Sequence, residues 1–270
     1  MKIRADLLLT RRNLVNSREK AKMAIEKSLV FANGKLVKKP SELIDEEVEI
    51  ILKSEPLRYV GKGGLKLEKA LNVFKINVSG LICMDIGAST GGFTDCMLQN
   101  GAKKVYAVDV GENQLDKSLL SDSRVINMEK TNIKDIDLLK IKDKIDFITV
   151  DVSFISLKWV LPEVYRILRD NGSCVCLIKP QFEIGKELLP KSGVVRDRKL
   201  HKKVLTDVLK YINDNKFSIK NIDFSPIMGS KGNIEYLAYI YKSSDKSNFN
   251  PDIISLINSA FDFFKNGGSK

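Results

Sequence analysis

From residue 81 onward, short apolar runs alternate with amphipathic stretches. Leu81-Ile82-Cys83-Met84-Asp85-Ile86, Val105-Tyr106-Ala107-Val108-Asp109, Val125-Ile126-Asn127-Met128, Phe147-Ile148-Thr149-Val150-Asp151 and Cys174-Val175-Cys176-Leu177-Ile178-Lys179 read as buried strands. Lys66 to Val73, and the stretch that follows Gly91-Gly92 as far as Gln99, have helical spacing. Strand–helix alternation of this kind predicts an α/β fold with a doubly wound, mainly parallel sheet. In such a sheet ligands bind beyond the carboxyl ends of the strands.

The first fifty residues follow another pattern. Ala5-Asp6-Leu7-Leu8-Leu9 starts an apolar-periodic helix, and Ser17 is placed to cap a second one in which Ala21, Ala24 and Ile25 share a face. Val30-Phe31-Ala32 and Lys35-Leu36-Val37 flank Asn33-Gly34, the strongest short hairpin signal, and Val48 to Leu52 alternates as a closing strand. The expected organisation is a small α+β domain over residues 1–56, a linker over 57–62 and a larger domain over 63–270. Lys53-Ser54-Glu55-Pro56 carries the stiff joint, since proline closes the preceding strand. The tail, Asn266 to Lys270, is expected to fray.

Charge changes the picture. The 270 residues contain 45 Lys and Arg against 34 Asp and Glu, a net of +11, which suits a polyanionic partner. Eleven of the basic side chains fall in residues 2–39, opposed there only by Asp6, Glu19 and Glu26, so the excess is concentrated in the small domain. No segment approaches the ~20 apolar residues of a membrane helix, and Leu7-Leu8-Leu9 before Thr10-Arg11-Arg12 is too short for a signal core. A cytoplasmic protein without a membrane partner is the expectation. The four cysteines, Cys83, Cys96, Cys174 and Cys176, lie in or beside apolar runs without zinc-ligand spacing, and read as buried reduced thiols. His201 is the only histidine, so a histidine triad or a histidine-ligated metal has no material, and no metal is expected.

The turn Gly87-Ala88-Ser89-Thr90-Gly91-Gly92-Phe93 follows the first strand of the larger domain, where a nucleotide-like ligand lies in such folds. It lacks the GxGxxG spacing of a pyrophosphate turn and the Lys-Ser/Thr of a phosphate loop. Its small residues let backbone approach a ligand closely. Asp85 stands two residues ahead, and Asp109 ends the next strand, where it can accept hydrogen bonds from both hydroxyls of a ribose. The fit is to a nucleoside cofactor without phosphates, S-adenosylmethionine, and so to a Rossmann-like class I methyltransferase. Asp85, Gly87, Ala88, Ser89, Gly91, Gly92, Phe93 and Asp109 are the candidate cofactor residues. A turn or helix-capping role for Asp85 stays open.

The fourth strand ends in Asp151-Val152-Ser153-Phe154, with neither the Asn/Asp-Pro-Pro-aromatic run of amine methylation nor a nucleophilic cysteine. Strand ends instead present Asp151, Lys179 and Glu235, and the first helix adds Lys66. Two lysines and two carboxylates suit a ribose hydroxyl, a weak acid that must be oriented and deprotonated. Burial and a neighbouring cation can make a lysine able to take that proton.

These residues carry two resemblances. Residues 3–53, with Ser17-Arg18, Asn33-Gly34 and Lys39-Pro40-Ser41, resemble the RNA-binding module named for ribosomal small-subunit protein four, with Ser28 in place of a usual glycine and Phe31-Ala32 for a common Val-x-Val. Phosphate contacts from Arg4, Arg11, Arg18, Lys20, Lys35 and Lys39 are what this implies. Lys66, Asp151, Lys179 and Glu235 fall where FtsJ-like 2'-O-methyltransferases carry their Lys-Asp-Lys-Glu tetrad. With Lys179-Pro180-Gln181-Phe182-Glu183 and Gly232-Asn233-Ile234-Glu235-Tyr236, nearly the whole chain resembles the TlyA (haemolysin A) family. The resemblance implies 2'-O-methylation of cytidines in ribosomal RNA of the large subunit or of both, ribosomal subunits as partners, and an adenine near Thr131-Asn132. Base methylation, a membrane-acting haemolysin and an RNA-binding assembly protein with a vestigial catalytic fold are the alternatives.

Overall fold

A computed structural model describes residues 2–15, 17–26, 28–53, 58–139, 141–243 and 249–268. Residues 54–57 of the expected joint and residues 269–270 of the tail lie outside the described residues. The chain divides into two compact units, Met1–Arg58 and Tyr59–Lys270.

The first unit runs β1 (Lys2–Arg4), α1 (Ala5–Arg11), α2 (Arg18–Glu26), β2 (Val30–Ala32), β3 (Lys35–Leu36), β4 (Leu43–Asp45) and β5 (Ile50–Leu52). Its small core gathers the expected helix positions, among them Leu8, Leu9, Ala21, Ala24 and Ile25, around Val30 and Val37. Ser17 Oγ accepts from Lys20 N at 3.2 Å, the expected cap of α2. Asn33 and Gly34 take φ of 45° and 75°, the two left-handed residues that a tight hairpin turn demands. Ser28 also has positive φ, 59°, and closes α2 with Ser28 N to Ile25 O and Leu29 N to Ala24 O, a helix end that favours glycine. The short pair β1–β4, antiparallel from Lys2–Asp45 to Arg4–Leu43, is absent from the sequence reading. Three-residue strands are too short to show a period.

Asp6 is fully buried, and Arg4 grips it through two bonds of 2.9 Å while Arg18 lies 3.2 Å from it. The Arg4 bonds hold the Asp6 carboxyl down to about 2, against the cost of burial and with help from Arg18. A depressed carboxylate stabilises the fold above its unfolded value of 3.8 and stops doing so as pH falls through its folded value. Both arginines are about half exposed, so the contribution is discounted to about 1–2 kcal/mol. The protection factors of the α1 amides, which correct for the intrinsic pH dependence of exchange, should therefore fall between about pH 4 and pH 2. Asp6→Asn should remove that dependence, and an unchanged acid profile would contradict the assignment.

The second unit contains α3 (Gly63–Val73), β6 (Ile82–Ile86), α4 (Gly92–Gln99), β7 (Lys104–Val108), α5 (Lys117–Leu120), β8 (Val125–Met128), β9 (Ile145–Val150), α6 (Leu157–Ile167), β10 (Leu168–Ile178), α7 (Pro180–Glu183), α8 (Arg198–Asp214), β11 (Phe217–Phe224), β12 (Tyr236–Lys242) and α9 (Ile253–Lys265). One seven-stranded sheet runs β11-β12-β10-β9-β6-β7-β8. Five neighbouring strands, from β10 to β8, pair in parallel, and β12 runs antiparallel between β10 and the edge strand β11. The doubly wound, mainly parallel sheet is as expected. The order in which strands are added reverses at β6, with β7 to one side and β9 to the other, and this switch point opens a crevice at the carboxyl edge.

Buried faces follow the pleat. Met84 and Ile86 enter one core with α6 and α8, while Cys83 and Val175 enter the other with α3 and α4. All four cysteines are buried and free, with Cys174 and Cys176 on one face, their sulfurs 3.4 Å apart.

Candidate active site

Four charged side chains converge at the carboxyl edge. Asp151 follows β9 and Lys179 follows β10, each at the end of a parallel strand. Glu235 precedes β12, and because that strand is antiparallel its start reaches the same edge. Lys66 is buried on α3, on the side that also carries the fully buried Leu67 and Ala70.

Lys66 Nζ donates to Glu235 Oε2 at 2.6 Å and lies 4.0 Å from Asp151 Oδ2. Lys179 Nζ is 2.5 Å from Asp151 Oδ1, a charge contact too bent to be a hydrogen bond for that oxygen, and donates to Ser153 Oγ at 3.1 Å. Lys66 and Lys179 are each only 8% exposed and Glu235 2%, so these charges are held largely out of water and depend on one another. Burial works against the Lys66 ammonium, but Asp151 and Glu235 outweigh it and raise its pKa above the ordinary lysine value. Gly229 lies close to Glu235, where a Cβ would sit 2.3 Å from Oε1.

Two cavities meet at this cluster. One, of 410 Å³, is walled by Gly87, Ala88, Ser89, Thr90, Gly92 and Phe93 of the glycine turn and by Lys62, Gly63, Lys66, Asp151 and Lys179. The other, of 740 Å³, lies beyond Lys66, Lys179 and Glu235 and is rimmed by Phe154, Phe182, Lys186 and Lys231. Phe154 is 90% exposed with its ring centroid 5.0 Å from that of Phe182. Two chambers joined at a charged throat is a geometry that suits group transfer between two bound molecules.

The candidate cofactor residues divide. Gly87, Ala88, Ser89, Gly92 and Phe93 are on the wall of the smaller cavity; Gly91, Asp85, Asp109 and Asn132 are not. Gly91 has φ 93° and turns the chain into α4 against Leu115 and Leu119. Asp85 lies behind the turn, wholly buried, accepting Thr94 N at 2.9 Å, Thr94 Oγ1 at 2.7 Å and Thr149 Oγ1 at 2.9 Å. Burial pushes its pKa up to about 6, opposed by the two threonines and helped by the Asp151 charge. These contacts favour the turn-holding alternative for Asp85 over direct ligation. Asp109 accepts Ser89 N at 2.8 Å and Gly111 N at 2.7 Å, so it is tied to the turn and keeps a free lone pair on each oxygen. Asn132 is exposed and caps the short 3-10 turn Ile133–Asp135 through Lys134 N.

The fit to a methyl donor is tested by Gly87. Its φ is 84°, and a Cβ there would meet Asp151 O at 2.5 Å, so backbone approaches backbone directly beneath the turn and leaves the space above it open. A small-residue turn on an open cavity, with Asp109 fixed beside Ser89, matches a nucleoside with no phosphate. Thr94, Thr149, Ser153 and Gly229 were not singled out in the sequence. None carries a local signal, since each matters through a partner distant in the chain.

Among the six candidate RNA residues, Arg4 and Arg18 are engaged with Asp6, Arg11 with Glu46 at 2.5 Å, and Lys20 Nζ donates to Arg58 O. Lys35 and Lys39 are exposed and have no acidic partner among the described residues.

Sheet order and the placement of the glycine turn define the class as a Rossmann-like, class I methyltransferase fold. Residues 59–242 match the FtsJ-like methyltransferase model and residues 3–50 the S4 domain model. The chain belongs to the FtsJ-like methyltransferase family, with an S4 domain ahead of the catalytic fold. It is 36% identical over 245 residues to the 16S/23S rRNA (cytidine-2'-O)-methyltransferase TlyA of Mycobacterium tuberculosis, covering 90% of this chain and 91% of that one. The 23S rRNA (cytidine-2'-O)-methyltransferase TlyA of Campylobacter jejuni is also 36% identical, over 259 residues, 89% of this chain and all of that one. A solved structure from Streptococcus thermophilus, provisionally named a hemolysin, superposes with a TM-score of 0.77 at 48% identity over 98% of each chain. Among the described residues no helix is long and apolar enough to cross a membrane.

Proposed function

We propose that this protein transfers a methyl group from S-adenosylmethionine to the ribose 2'-hydroxyl of a cytidine in ribosomal RNA. The observation that carries the reading is the throat itself, two lysines and two carboxylates interlocked between a donor cavity and a larger acceptor cavity. A base amine or a base carbon would need other groups at Asp151-Val152-Ser153-Phe154. In this reading residues 1–56 hold RNA, 57–62 link, and 63–270 catalyse.

Ser89, Gly87 and their neighbours on the turn would hold the donor, with Asp109 accepting from its ribose and Asn132 near its adenine. Bound there, the donor supplies an electrophilic methyl on a sulfonium. Lys66, flanked by Glu235 and Asp151, stays an ammonium and orients the acceptor oxygen. Lys179, which touches only one carboxylate, first gives up its ammonium proton to solvent, and as the free amine takes the hydroxyl proton while the oxygen gains the methyl. Asp151 aligns both lysines. Close placement of the two reactants supplies much of the rate. The protein acts in the cytoplasm on ribosomal subunits, and no step requires a metal.

Separately purified small and large subunits, incubated with labelled donor, test the substrate. Label should enter ribosomal RNA of the large subunit or of both; label in neither would overturn the reading. RNA affinity should come from phosphate contacts of the S4 domain. Replacing Lys35 and Lys39 with alanine should make the slope of log affinity against log salt shallower by roughly 1–2 and leave cofactor binding unchanged. An identical slope would show that the hairpin does not face RNA.

A further inference from the structure

Three polar side chains beside Glu235 are buried and take no part in the proposed chemistry. His201 and Tyr236 are fully inaccessible, and Asn233 is 2% exposed. His201 Nε2 is 2.9 Å from Val195 O, a carbonyl that can only accept, so this nitrogen carries the proton. Burial lowers the His201 pKa, against the Val195 bond and the Asp197 charge, so the ring is neutral and Nδ1 accepts from Tyr236 OH at 2.7 Å. Asn233 Oδ1 accepts Val195 N at 2.9 Å, and its Nδ2 donates to Gly193 O at 2.9 Å. The segment from Gly193 to Val195 is thus bonded to Asn233 directly and to Tyr236 through His201, one on each side of Glu235 in the chain. The Glu235 carbonyl also accepts Ser225 N, at 2.8 Å.

The outer wall of this network is α9. Phe261 meets the His201 ring edge to face at 5.1 Å, and the Arg198 guanidinium lies 4.8 Å over Phe261. This helix begins at Ile253, beyond residue 242 where the FtsJ-like match ends.

We propose that His201, Tyr236 and Asn233 are positioning residues for Glu235, sealed by α9, and that they act on methyl transfer through the Glu235–Lys66 bond. This rests on the tetrad reading above. Successive residues of a strand point to opposite faces. Pinning the Tyr236 hydroxyl on one face therefore sets where Glu235 leaves the other, and Lys66 follows at 2.6 Å. A displacement well under 1 Å at such a contact is costly for rate and nearly silent for binding.

The test is a mutant cycle with full-length protein, ribosomal subunits and radiolabelled donor, read as single-turnover rates alongside KM for each substrate. Tyr236→Phe removes one oxygen, and should slow transfer by about tenfold while both KM values stay within about twofold. Placed on Glu235→Gln, the same change should slow transfer no further, because its route is already cut. A merely structural role would leave the rate of the folded protein unchanged, or make the two losses multiply, and either result overturns the proposal. If Tyr236→Phe does not fold, His201→Gln, which keeps a donor for Val195 O, takes its place in the same cycle. Identifying the methylated nucleoside made by the unsubstituted enzyme separates the two levels: a base methyl there would refute the tetrad reading, whereas a multiplied loss on a ribose product would refute only this inference.

Discussion

Replacing Lys179 with arginine should abolish methyl transfer, a fall of at least about 10³-fold, in a protein that still folds and still binds RNA and S-adenosylmethionine. Arginine keeps the charge opposite Asp151 Oδ1, so the ion pair that holds the throat together survives. What is lost is the capacity to take a proton, since a guanidinium is effectively never deprotonated in a protein. Lys179→Ala should be as inactive, and neither variant should recover with added donor, because the deficit lies in the chemical step. Single-turnover transfer, with calorimetry for the donor and filter binding for RNA, separates the two contributions. Transfer by Lys179→Arg within about tenfold of the parent would mean that Lys179 works by charge alone.

The second large effect belongs to Gly87→Ala. Gly87 has φ 84°, where an alanine costs roughly 1–2 kcal/mol, and its Cβ would meet Asp151 O at 2.5 Å and Asp151 C at 2.9 Å. Both are backbone atoms, so no flexible side chain can yield. The turn and the Asp151 segment must separate, and donor site and tetrad shift together. A loss of about 2–4 kcal/mol in stability is expected, together with loss of donor binding and of activity. Gly80→Ala is the control, since Gly80 also has positive φ, 74°, but nothing stands within 4 Å of its Cβ position. It should lose stability from the backbone alone and keep full activity. If Gly87→Ala behaves like Gly80→Ala, close backbone approach beneath the turn is not what the site depends on.

The central parallel strands were legible because each is buried on both faces and reads as one apolar run, whereas β8 at the sheet edge is half exposed. Their ends could be read for the same reason, and so could Asp109, Asp151 and Lys179. Strand direction was not. Nothing in Tyr236 to Lys242 reports that this strand runs against its neighbour β10, yet that reversal brings Glu235 to the site. Asp85 and Asp109 look alike in sequence, each a carboxylate at or near the end of a strand. Only folding brings Thr94 and Thr149 onto Asp85 and leaves Asp109 beside Ser89. The basic residues of the S4 domain were visible as charge, but their internal partners were not. Arg4 and Arg18 converge on Asp6 from a strand and a helix that share no periodicity. His201, the lone histidine, sits in a basic run that says nothing of its surroundings, and is fully buried because α8 turns it toward Tyr236.

The central claim is that the acceptor is a ribose hydroxyl. The most direct measurement is the position of the methyl group on ribosomal RNA methylated by the purified enzyme, from nucleoside mass spectrometry and from alkaline hydrolysis of the same RNA. A 2'-O-methylcytidine, with the chain resisting alkaline cleavage on its 3' side, is the expected result. A methyl on the base, with cleavage at that nucleotide intact, would contradict the account.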